Sequence, residues 1–217
     1  MAAGQMWLDG AHEQFEALNA SLIDRTRTML TDIIAQPAEH ARLLNTLALL
    51  EHTGSYRIMA SQHGERATQP TLRHLAEEAQ HAFFMKRQAE KTAGRALEFV
   101  DCDLLAGSTA RSYFRRLEAL IHGKLRREES GHATYLYMSM VIEFRALWFY
   151  ELYQETLKSA GNAISLKRII GEEASHLTDM TQRLEEMGEL SGNRVDTFIA
   201  NEQRLYMRLL RALTPAH

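Results

Sequence analysis

Proline is scarce in this 217-residue chain, with three residues at 37, 70 and 215, and cysteine is limited to Cys102. One cysteine cannot form an intramolecular disulfide, which favours a reducing compartment. No apolar run approaches the ~18 residues that a membrane helix needs. The start, MAAGQMWLDG, lacks a basic stretch followed by an apolar block, so no secretory signal is expected and the cytoplasm is the expected compartment. Charge of one sign is lacking too: 25 basic against 28 acidic residues leave a net of −3. Such a balance gives no general electrostatic reason to bind nucleic acid or an anionic membrane. With 45% hydrophobic and 24% charged residues, disordered and collagen-like classes are excluded.

What is present is helix-forming: Ala, Leu, Glu, Arg and Met dominate, and no stretch alternates as a strand would. The chain reads as all-α, a single domain over 1–217. The pattern predicts helices over about 11–35, 38–62, 70–93, 109–127, 132–159, 163–187 and 194–213. Pro37 and Pro70 sit where helices begin, Gly107-Ser108-Thr109 reads as an N-cap, and Gly64, Gly94, Gly107, Gly161 and Gly188 to Gly192 mark breaks.

One repeat carries chemistry. The segment TLRHLAEEAQH, from Thr71 to His81, aligns with LKRIIGEEASH, from Leu166 to His176, pairing Arg73 with Arg168, Glu77 with Glu172, Glu78 with Glu173 and His81 with His176. Upstream of each copy an apolar helix holds one acidic residue, Glu51 in LALLEHTGSY and Glu143 in SMVIEFRALW. Glu and His three residues apart share a helix face. Glu51 falls in a stripe with Leu44, Leu47, Ala48, Ser55 and Ile58, and Glu143 in one with Leu136, Met140, Ala146, Leu147 and Tyr150. Carboxylates in such stripes cost several kcal/mol unless paired or metal-bound. Two divalent cations would neutralise four of them, and two imidazoles would complete the set. One Glu from each of two helices and Glu-x-x-His from each of two others is the ligand plan of four-helix di-iron and di-manganese carboxylate proteins.

On these residues the chain resembles the ferritin-like di-iron carboxylate superfamily. The resemblance covers about residues 38–187 and implies a four-helix bundle core with extra N-terminal, crossover and C-terminal helices. It also implies Glu51, Glu78, His81, Glu143, Glu173 and His176 as ligands of two Fe ions, with Mn or mixed Fe/Mn loading as the variant. Glu78 and Glu173 would bridge the metals. The implied activity is a non-haem di-iron oxidoreductase activating O2 or peroxide, a hydroxylase of a small organic substrate, served by an electron-donor protein and built as a homo-oligomer, expected to be a dimer. The alternative is a ferroxidase and iron-storage protein or a rubrerythrin-like peroxide-detoxifying one. The doubled Glu-x-x-His argues against storage ferritins, and the missing Cys-x-x-Cys argues against typical rubrerythrins.

Residues around the motif carry two readings each. Glu77 and Glu172 look like partners that fix the ligand imidazoles, or else lie on a solvated face. His74, one turn before Glu78 on the same face, is either a partner of the ligand residues or, as its repeat counterpart Ile169 favours, a core histidine. Tyr56, Trp148 and Tyr150 are either core aromatics or redox-active ones. Arg111, Arg115, Arg116, Lys124, Arg126 and Arg127 make a basic helix, either solvated or a dock for an acidic partner. Gly54 and Ser55 leave the face beside Glu51 nearly bare, although a helical glycine costs roughly 1 kcal/mol. Either a helix packs closely there, or a pocket opens for a small molecule opposite Leu147 and Tyr150.

Overall fold

The computed structural model describes residues 2–61, 68–125 and 131–214. Gly64, Arg126, Arg127 and Pro215 lie outside them. The described residues form helices, with no strand among them: α1 (Ala2–Asn19), α2 (Ile23–Ile34), α3 (Pro37–Ser61), α4 (Gln69–Ala93), α5 (Gly107–His122), α6 (Gly131–Ser159), α7 (Lys167–Glu186) and α8 (Gly192–Leu213). Pro37 is the first residue of α3, and Pro70 sits in the first turn of α4 behind Thr68, whose hydroxyl accepts from the Thr71 N–H. Gly94 ends α4 in the left-handed conformation (φ 66°), where a side chain would be strained.

Several boundaries differ from the expectation: α5 ends at His122 rather than near 127, α7 begins at Lys167 rather than near 163, and two further differences have a visible cause. The first predicted helix begins earlier, at Ala2, and breaks at a 3-10 turn over Ala20–Leu22. The break follows the buried Asn19, whose amide donates back to the Phe15 carbonyl and accepts from Arg145. Such a side chain competes with the helix ladder. At the other site, α5 starts at Gly107 rather than being capped by Ser108 or Thr109. Its cap is Ala106, held at φ 55° with no side-chain cap bond, while the neighbouring Leu105 N–H is tied to the Thr46 hydroxyl.

Helices α3 and α4 pack along each other, as do α6 and α7, and the pairs meet through α3 against α6 and α4 against α7. Both hairpins are antiparallel: Asn45 meets Lys86, and Gln154 meets the start of α7 at Leu166. The pairs meet antiparallel too, since His81 bonds Glu172 and Arg73 bonds Asp179. A long crossover from α4 to α6 carries α5, whose apolar face of Tyr113, Phe114, Leu117 and Ile121 lies against α8. One buried apolar cluster, drawing on all eight helices, joins them from Leu8 to Leu213.

Candidate metal centre

Four helices each aim acidic or imidazole side chains into the space between the hairpins. Glu51 comes from α3, Glu78 and His81 from α4, Glu143 from α6, and Glu173 and His176 from α7; each is between 1% and 7% exposed. All six residues read from the sequence are brought together. They form two groups sharing Glu78: Glu51, Glu78, His81 and Glu173 in one, His74, Glu78, Glu143 and His176 in the other. In each group the four donor atoms lie within 4.8 Å of one another.

Contacts across the helices orient these side chains. His81 Nδ1 faces inward, 3.3 Å from Glu173, 3.7 Å from Glu78 and 3.8 Å from Glu51. Its Nε2 points outward to Glu172, 2.8 Å away on α7. His176 repeats the arrangement with the helices exchanged: Nδ1 lies 3.0 Å from Glu173 and Nε2 lies 2.8 Å from Glu77 on α4. Arg168 donates to Glu172 at 2.8 Å, whereas its repeat counterpart Arg73 bonds Asp179 and only approaches Glu77, at 3.9 Å. With a proton held on each Nε2 by an anionic acceptor, loss of the Nδ1 proton to a bound metal would leave the Nδ1 lone pair turned to the centre.

The chain alone leaves this cluster unsatisfied. Buried Glu78 Oε1, His81 Nδ1 and Glu173 Oε1 have no hydrogen-bond partner, a costly condition that a cation would relieve. Burial, followed by the charges of Glu78 and Glu173, pushes the Glu51 carboxyl well above the usual range, and burial with Glu173 and Glu78 does the same to Glu143. Burial would also raise Glu173, yet its hydrogen bond with His176 and the His81 imidazole 3.3 Å away hold it below that range. For His81, burial opposes the charge, but the close approach of Glu173 and the charges of Glu51 and Glu78 raise it to about 10. His176 shifts upward for the same reasons. Protons therefore balance the carboxylates where divalent cations would otherwise do so. The donor set of carboxylate oxygens with imidazoles suits Fe or Mn, and the residues present fit a metal pair.

His74 is the residue the sequence reading missed. Its Nε2 lies 3.0 Å from Glu143 and its ring centroid 4.1 Å from that of His176. The signal was its one-turn spacing before Glu78; the repeat hid it, because its counterpart Ile169 is plain buried core. Of the expected pocket residues, Tyr150 donates to Glu51 and lines a small apolar cavity of about 80 Å³ that also touches Glu78 and Glu143. Gly54 lines a larger cavity of about 460 Å³, which reaches His74, Glu78 and Glu143. Ser55 and Leu147 line neither. The Ser55 hydroxyl bonds back to the His52 carbonyl, while Leu147 lines a groove with Leu8, His12 and Leu177. Tyr56 is exposed, Trp148 packs on Tyr206, and Arg111 pairs with Asp101. Arg115, Arg116 and Lys124 are exposed.

No family model matches this chain, and no curated protein or solved structure is significantly similar to it.

Proposed function

We propose that this chain is a ferritin-like di-iron carboxylate protein that uses O2 or peroxide to oxidise a small organic substrate. The observation that carries the reading is the exchanged pair of carboxylate–imidazole contacts around four inward carboxylates, with three buried donor atoms left unpartnered. The topology agrees with it: two antiparallel hairpins and one long crossover are the plan of ferritin-like bundles. Glu51, Glu78, His81 and Glu173 would hold one ion, and Glu78, Glu143 and His176 the other, with Fe expected and Mn or mixed loading as the variant.

Hydroxylation of a C–H bond consumes O2, two electrons and two protons and releases water. When bound and reduced, a metal pair held by these six residues would supply the two electrons, which an electron-donor protein would restore. The chain supplies position and exclusion of water. Glu77 and Glu172 hold the imidazole protons outward, and Tyr150 holds the Glu51 carboxyl. Phe114 and Ile142 border both cavities and line them with hydrocarbon next to Glu78 and Glu143. A 460 Å³ cavity at the centre favours an organic substrate over iron storage, because it offers the volume of a drug-sized molecule.

The test is anaerobic reconstitution of the metal-free chain with Fe(II), followed by elemental analysis and exposure to O2. Two ions per chain are expected, with about two electrons delivered per chain on oxidation and no more than one tightly held ion in Glu173→Gln. One ion or none in the unsubstituted chain overturns the reading.

A further inference from the structure

We infer that His74 is a seventh protein ligand, so that the two metal positions differ: one has two imidazoles and two carboxylates, the other one imidazole and three carboxylates. The inference rests on the dinuclear reading above and concerns what distinguishes its two halves.

Four atoms enclose the first position. His74 Nε2 lies 3.0 Å from Glu143 Oε1 and 3.6 Å from Glu78 Oε1, while His176 Nδ1 lies 3.8 Å and 3.7 Å from the same two oxygens. Four donors placed tetrahedrally at 2.0–2.2 Å from one ion stand about 3.4 Å apart, so these separations are those of a ligand shell. A hydrogen bond accounts for the distance to Glu143, and the one-turn spacing on α4 brings His74 beside Glu78 Oε1, an oxygen with no hydrogen-bond partner that a shared cation would satisfy.

The outer nitrogen gives a second, separate argument. His74 Nδ1 lies 3.0 Å from the buried Tyr135 hydroxyl. It matches His81 Nε2 on Glu172 and His176 Nε2 on Glu77. All three imidazoles thus keep one nitrogen on an oxygen and turn the other to the cluster, which is how metal-bound histidines are oriented. The repeat cannot supply the same residue twice, since Ile169 fills the corresponding place on α7. Imidazole suits Fe, Co and Zn better than Mn, and carboxylate suits Mn. The two positions should therefore fill in sequence, the imidazole-rich one first for Fe(II) or Co(II).

Co(II) is the probe. Proton NMR of the cobalt-loaded chain should show three solvent-exchangeable, strongly shifted imidazole N–H signals, one each from His74, His81 and His176. Titration should show two binding steps, and His74→Gln, whose amide still reaches toward Glu143, should weaken the first by at least about tenfold, the range reached even by loss of an outer hydrogen-bond partner. Its spectrum should keep two shifted signals. Two signals in the unsubstituted chain, or an unchanged first step in His74→Gln, overturn the inference while leaving the metal pair standing. A chain that takes up no cobalt overturns the dinuclear reading and this inference with it.

Discussion

A Cβ added at Gly54 would stand 3.0 Å from Glu78 Oε2, tighter than ordinary contact. The bare helix face that the sequence offers as room for a substrate is therefore also the space that lets the shared carboxylate approach α3. Gly54→Ala should separate the two effects. Removing a helical glycine should stabilise the metal-free chain by up to about 1 kcal/mol, whereas crowding Glu78 should weaken metal binding at both positions. Melting of the metal-free chain and a competitive metal titration measure the two halves, and unchanged metal affinity would return Gly54 to a purely cavity-lining role. Glu77 and Glu172 lie behind the imidazoles, each holding one of the opposite hairpin through a single 2.8 Å bond. Glu77→Gln and Glu172→Gln should each lower metal affinity about 10- to 100-fold with little change in folding. Equal affinity in both variants would make these carboxylates bystanders.

Between elements, α3 and α6 are joined by a buried polar pair as well as by apolar packing. His40 Nε2 and the Tyr153 hydroxyl share a hydrogen bond of 2.5 Å, with both residues almost wholly buried. Burial lowers the His40 pKa from 6.5 to about 4, so the folded chain holds this imidazole neutral while the unfolded chain protonates it more readily. A depressed pKa of this kind contributes stability that is present above the unfolded value of 6.5 and lost as pH falls toward 4. The loss amounts to about 3 kcal/mol. Urea unfolding of the unsubstituted chain and of His40→Gln at pH 7 and pH 4 checks it. The unsubstituted chain should lose about 3 kcal/mol more across that interval, and parallel losses would remove His40 from the acid response. Element boundaries were legible where a local residue sets them, as at Pro37, Pro70 and Gly94. They were not legible at Asn19, where the break coincides with a bond to Arg145 on α6, far along the chain.

Arg145 organises the molecule outside the carboxylate–imidazole cluster. It is buried on α6 two residues past Glu143, donates to both carboxylate oxygens of Glu202 on α8 and to Asn19 at the end of α1, and lies 3.9 Å from the Tyr206 ring centroid. Tyr113 of α5 donates to the same carboxylate. Four helices outside and inside the bundle thus converge on one ion pair. Removing one member of such a pair leaves a buried charge uncompensated, so Glu202→Ala should destabilise the fold by about 3–5 kcal/mol. A loss below about 1 kcal/mol, the scale of a surface pair, would show that solvent reaches Arg145. Metal removal should also lower the melting temperature at neutral pH, because the raised Glu51 and Glu143 carboxyls register how poorly the bundle tolerates their charges. Identical melting with and without metal would place the cluster outside the fold's energetics.

The sequence by itself determined the helical class and the six inward residues of the doubled motif, because helix periodicity and Glu-x-x-His spacing are local properties of one face. It also placed Glu77 and Glu172 beside those ligands by the repeat alone. Only the tertiary structure decided which carboxylate serves which imidazole, since Glu77 reaches His176 and Glu172 reaches His81 across two hairpins far apart in the chain. The roles of His74 and Arg145 belong there too. Each looks like an ordinary core or charged residue in its own helix, and its partners on other helices come within bonding distance only when the hairpins pack.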